Sequence, residues 1–123
     1  MTQENTGMDS IAAAVRTAFE NTSYCARTTG PQSSWIYIFE KRDFVEEGPG
    51  GALDHGWKVG YLCIDEQRLP KLVGKPDRWL LNYYGSEHLS AVRTVVESVA
   101  ARYGKSVSCS MKSERAEKAI FDF

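Results

Sequence analysis

Trp35, Trp57 and Trp79 stand 22 residues apart, and each is followed four positions later by a second aromatic: Phe39, Tyr61 and Tyr83. Residues i and i+4 of a strand lie on the same side of it. The surrounding segments, "WIYIFEKR", "WKVGYLCID" and "RWLLNYYG", are rich in aromatic and β-branched residues, the composition that suits a pleated, half-buried surface. The spacing predicts three successive strands of one antiparallel sheet, with the tryptophans on a common face. The residues between the tryptophans do not match from unit to unit. A meander with similar connection lengths therefore explains the spacing better than an internal duplication.

Helical periodicity flanks this region. Met8, Ile11, Ala12, Val15, Ala18 and Phe19 fall on one helical face, which predicts a helix from Asp9 to Glu20. Leu89, Val92, Val95, Val96, Val99, Ala100 and Tyr103 form a second stripe, with Ser86 as N-cap and Gly104 where a left-handed C-cap belongs. "SYCART" precedes the aromatic strands, and "SVSCSMK" and "KAIFDF" follow the second helix as further strands. Residues 66–76 contain Pro70, which sits badly inside a helix, and are expected to form a loop with at most one turn. The order is α-β-β-β-β-α-β-β. It implies an α+β two-layer sandwich: a mainly antiparallel sheet of about five strands with two helices packed on one face. One domain over residues 1–123 is expected, frayed over 1–7.

Charge and cysteine usage narrow the function. The formal net charge is −1 and the sequence pI is near 6.1, without the basic excess of a nucleic-acid binder. Cys25, Cys63 and Cys109 lie far apart with no paired spacing. This predicts reduced thiols and a cytoplasmic protein, or one delivered to a host cytosol. No apolar run approaches the length of a membrane span.

The stretch "EEGPGGALDHGWKVG" resembles a ligand loop at first sight. Phosphate-cradling loops lead into a helix, and this one leads into a strand without a Gly-Lys-Ser or Gly-Lys-Thr. Asp54 and His55 are adjacent, and a catalytic His needs a carboxylate at one ring nitrogen and a reacting group at the other. Adjacent residues rarely supply that to each other, so Asp54 and Gly56 are taken as turn chemistry in a long hairpin loop that serves as a contact element. Cys63 lies in an apolar strand, where a thiol is inert. His55, His88 and the three cysteines lie on separate elements, without metal-ligand spacing, and His88 reads as a surface residue of a first helical turn. No cofactor, metal or catalytic constellation is expected.

Both strand faces carry apolar residues. One holds Trp35, Tyr37, Phe39, Trp57, Val59, Tyr61, Trp79, Leu81 and Tyr83; the other holds Ile36, Ile38, Lys58, Gly60, Leu62, Ile64, Leu80, Asn82 and Tyr84. Two helices cover one side only, so the other should bind something. The tryptophan face is expected to be the core, which leaves Ile38, Leu62 and Tyr84 on the open face. The function that follows is a non-enzymatic protein-binding module, such as an inhibitor, immunity-type or anti-defence protein. Its partner is another protein, a second copy of this chain included. Its contact residues are Ile38, Leu62, Tyr84, Asp54 and His55. The alternative is a small-molecule-binding protein or small enzyme, with an aromatic-lined pocket between helices and sheet that uses Asn82, Tyr84 and His55.

Overall fold

A computed structural model of the chain describes residues 8–28, 35–45, 54–74, 77–114 and 117–121. The element order is α1 (Met8–Phe19), β1 (Tyr24–Thr28), β2 (Trp35–Glu40), the 3-10 turn η1 (Lys41–Asp43), β3 (Asp54–Cys63), α2 (Leu69–Val73), β4 (Arg78–Tyr84), α3 (Leu89–Arg102), β5 (Ser106–Ser113) and β6 (Glu117–Phe121). The six strands form one sheet in the order β1-β2-β3-β4-β5, with β6 paired to β3. The chain is thus α+β, but its sheet is mixed. Among the described strands the sheet is mainly antiparallel, as the sequence suggests, and β4 and β5 run parallel because α3 crosses over between them. A third helix is also present. α2 occupies the segment expected to be a loop, and it tolerates Pro70 because proline in a first turn removes no helical hydrogen bond.

β3 is long enough to serve two neighbours on one side. Gly60–Cys63 pair with β4, and Asp54–Lys58 pair with β6. The β4–β5 register shifts between Tyr83 and Tyr84. Gly85 follows with a left-handed φ of 63°, and a Cβ there would stand 3.0 Å from the Glu114 carbonyl oxygen.

The core lies between the sheet and α1 and α3. Ile11, Val15 and Phe19 of α1 and Val92, Val96 and Val99 of α3 join Ile36, Ile38, Leu62, Trp79, Leu81 and Val107 in one buried cluster. A fully buried aliphatic side chain of this kind contributes roughly 1.5–3 kcal/mol. α3 ends in a Schellman arrangement, with Gly104 N–H donating to the Ala101 carbonyl and Lys105 N–H to the Ala100 carbonyl. Its start differs from expectation: His88, not Ser86, precedes the first helical residue. Among the described residues no helix is long and apolar enough to cross a membrane.

The tryptophans do not share a face. Trp35 pairs with Cys63, and Cys63 pairs with Leu80. Trp35 is therefore on the side of the sheet away from Trp79, which is wholly buried with Tyr103, the residue after α3, beside it. Trp57 is displaced by a separate cause. The β2–β3 register jumps from Ile38↔Gly60 to Phe39↔Lys58, which leaves Val59 as an extra residue. A bulge of this kind reverses the side-chain sides beyond it. Ile38 and Leu62 are correspondingly wholly buried on the helix side. The expectation that they line the open face is corrected.

Candidate functional site

The face away from α1 and α3 is built by two cross-strand rows. Arg27, Tyr37, Tyr61, Asn82 and Ser110 are in register across β1 to β5. Trp35, Cys63, Leu80 and Ser108 form the neighbouring row. Side chains in register on one face pack against each other. The Tyr61 ring lies 5.4 Å from Trp35, 6.0 Å from Tyr37 and 6.0 Å from Tyr84, centroid to centroid. The bulge at Val59 turns Lys58 to this same side. Its Nζ sits 5.1 Å from the ring centres of both Tyr37 and Tyr61 and 5.6 Å from that of Tyr84. An ammonium over aromatic faces is held by their quadrupoles.

The aliphatic residues of β2 and β3 take the helix side, and the tyrosines take the other, because each phenol needs an apolar bed and a wet hydroxyl. Burial and the neighbouring Tyr61 push the Tyr37 hydroxyl above its ordinary pKa, so it stays protonated and can donate a hydrogen bond. Trp35, Tyr37, Lys58 and Tyr61 remain half-buried. At one end Phe39 and Phe44 stack at 4.7 Å, with the Arg27 guanidinium over Phe44. Gly56 makes room for this pair, since a Cβ there would meet the Phe44 ring at 3.0 Å. Arg27, Lys58 and Arg78 supply positive charge to this side, and Glu117 is the register partner of Lys58.

Of the residues singled out from sequence, Tyr84 lies on this face, though buried, and Asn82 lies beside Tyr61. Asp54 and His55 are not in a turn. They open β3, opposite Phe121 and Ile120 of β6. The contact role expected of their side chains, and of the loop 46–53, lies outside the described residues. The sequence marks Trp35, Tyr37 and Tyr61 as strand aromatics, and alternation alone puts them with the core. Only the register places them outside it.

A second cluster had no local signal at all. The Tyr24 hydroxyl is 2.8 Å from His88 Nδ1, and His88 Nε2 is 3.2 Å from Glu40 Oε1. His88 is thus no free surface residue. It ties β1, the end of β2 and the start of α3 together. The Glu40 carboxylate can only accept, so Nε2 carries the proton. In the neutral ring Nδ1 then accepts from the Tyr24 O–H. This Glu–His–Tyr order matches a nucleophile triad, but burial, and after it the Glu40 and Glu87 charges, push the Tyr24 pKa up. The hydroxyl keeps its proton rather than becoming a phenolate nucleophile. Glu40 and His88 also line a cavity of about 420 Å3, with the half-exposed Trp57 and the carboxylates of Asp43, Glu87 and Glu114.

Burial raises the thiol pKa of Cys63 and of Cys109. Among the described residues no group of three His, Cys, Asp or Glu side chains is placed to hold a metal. Comparison with protein-family models, curated proteins and solved structures gave no match.

Proposed function

We propose that the chain is a non-enzymatic protein-binding module, of the inhibitor, immunity or anti-defence kind, which docks its partner on the sheet face away from α1 and α3. The observation that carries this reading is the half-buried run of Trp35, Tyr37 and Tyr61 around Lys58 on one sheet face. Tyr, Trp and Arg are the residues in which interface energy concentrates, and the rigid rings lose little entropy on binding. Tyr84 stays within the contact set as the support beneath Tyr61. Ile38 and Leu62 drop out because they are core. A cytoplasmic site of action accords with three cysteines that lie far apart in the sequence without paired spacing.

The test is paired affinity capture from the native host with the parent chain and with Tyr61→Ala, both verified as folded. A stoichiometric protein retained by the parent and lost by the variant supports the reading. Identical recovery by both refutes it. A second copy of the chain as partner would appear as a dimer in sedimentation, dissociated by the same substitution.

A second reading has one observation in its favour: the cavity of about 420 Å3 beside Glu40, His88 and Trp57. It is large enough for a small aromatic ligand. Loss of activity in His88→Ala with retention in Tyr61→Ala would select this reading over the first.

A further inference from the structure

We propose that the edge of β5 away from β4 pairs with the same edge of a second copy, which joins two chains into a two-fold dimer with one continuous sheet. β5 is the last strand beyond β4 in the described sheet. Its residues, SVSCSMKS, hold no proline, no glycine and one charge, Lys112 near the end. Natural edge strands are blunted by proline, charge or bulges, because edge N–H and C=O groups invite another strand. Ser110, Met111 and Lys112 are exposed, and the apolar Met111 keeps 42% of its surface open.

The edge is complementary to itself, as an isologous interface must be. Val107, Cys109 and Met111 take the helix side, since Cys109 is the register partner of the wholly buried Leu81 and alternate residues share a side. Antiparallel pairing about a two-fold axis at Cys109 sets Met111 opposite the partner's Val107, and Ser108 opposite the partner's Ser110. Apolar groups then meet apolar groups on one face, hydroxyls meet hydroxyls on the other, and the open Met111 is covered. One layer above, α3 repeats the match. It packs on β4 and β5, and Arg93 and Glu97 stand at the level of Cys109. Burial raises the Cys109 pKa, the nearby Arg93 charge lowers it and the Glu97 charge raises it. Arg93 and Glu97 are exposed and lie 2.9 Å from each other. The same axis runs α3 antiparallel to its copy and brings Arg93 against the partner's Glu97 twice. With strands about 4.8 Å apart, a helix over the β4–β5 gap stands about 5 Å from the axis. The two helices are then about 10 Å apart, an ordinary packing distance. The axis is perpendicular to the sheet, so both aromatic faces stay open on the side away from the helices. The dimer is therefore independent of a protein partner on the aromatic face.

The test is sedimentation velocity of the full chain over a dilution series. The expected result is a reversible monomer–dimer equilibrium. Arg93→Glu and Glu97→Arg each set like charges against each other across the axis, and each should raise the dimer dissociation constant at least about tenfold. The double variant, Arg93→Glu with Glu97→Arg, puts opposite charges back in exchanged places and should return it to the parent value. Met111→Lys, opposite the partner's Val107, should abolish the dimer. Tyr61→Ala, on the other face, should leave it unchanged. Arg93, Glu97 and Met111 are exposed, so the fold should tolerate these changes, and thermal melting verifies it. Hydrogen exchange at the β5 amides should slow as the parent chain is concentrated. A monomer at every concentration, a dimer indifferent to the single reversals, reversals that the exchange does not rescue, or a dimer dissociated by Tyr61→Ala would overturn the proposal. Concentration-independent exchange in β5 would overturn it as well.

Discussion

Tyr37 and Tyr61 stand directly opposite each other across the β2–β3 ladder, with ring centroids 6.0 Å apart and planes inclined by 38°. Both are half-buried. Tyr61→Ala should therefore separate stability from binding. The fold should lose about 1–2 kcal/mol from the apolar area given up. Partner affinity should fall by about 2 kcal/mol or more if the pair anchors the interface. Chemical denaturation and titration of the captured partner measure the two losses.

Removing the hydroxyl in Tyr24→Phe should cost about 1 kcal/mol, the net worth of one hydrogen bond. His88→Ala should cost more, since it leaves the Tyr24 hydroxyl without its described partner and the Glu40 carboxylate with Arg42 alone among the described residues. A double-mutant cycle should show coupling between the two positions. Additive losses would mean that the 2.8 Å contact contributes nothing to stability.

Gly60→Ala tests the β3–β4 register. The added Cβ would lie 2.9 Å from the Asn82 carbonyl oxygen, a backbone atom that moves only with the ladder. A destabilisation of about 1–3 kcal/mol is expected in urea. An unchanged midpoint would show that the two strands can separate there without loss.

Val96 is wholly buried on the helix stripe. Val96→Asp places an unpaired charge against the sheet and should cost more than about 3 kcal/mol. Circular dichroism should show a chain largely unfolded at room temperature, or melting far below the parent.

Alkaline pH should weaken the fold. Cys63 has its pKa raised above 9.0 by burial, so above that value the unfolded chain binds fewer protons than the folded one. Stability from this group is complete below pH 9 and is lost as pH rises through the folded pKa. Urea midpoints measured from pH 7 to 10 should fall at the upper end, and Cys63→Ala should flatten that fall. In the native state at neutral pH, thiol reagents should spare the wholly buried Cys63 until denaturant is added.

The periodicities identified the elements because each is a local property. The stripe Val92–Val96–Val99 predicted α3 and its buried face, and alternation predicted strands around Tyr37, Tyr61 and Leu81. Gly104 marked the end of α3 because a left-handed residue there favours glycine. Alternation within one strand, however, says which residues share a side and not which side that is. The decision belongs to the register between strands. Trp35 lies opposite Cys63, and Cys63 opposite Leu80, so odd-numbered residues of β2 and β3 share a face with even-numbered residues of β4. The bulge at Val59 then breaks the alternation inside β3 itself, which sends Lys58 to the tyrosines and Trp57 to the cavity beside His88. The parallel β4–β5 pair and the contact between Tyr24 and His88 across 64 positions are likewise products of packing. A sequence specifies turns and periods through neighbours a few residues apart. Which faces meet depends on burying the most apolar area while keeping hydroxyls and charges wet, and that balance exists only once the whole chain is folded.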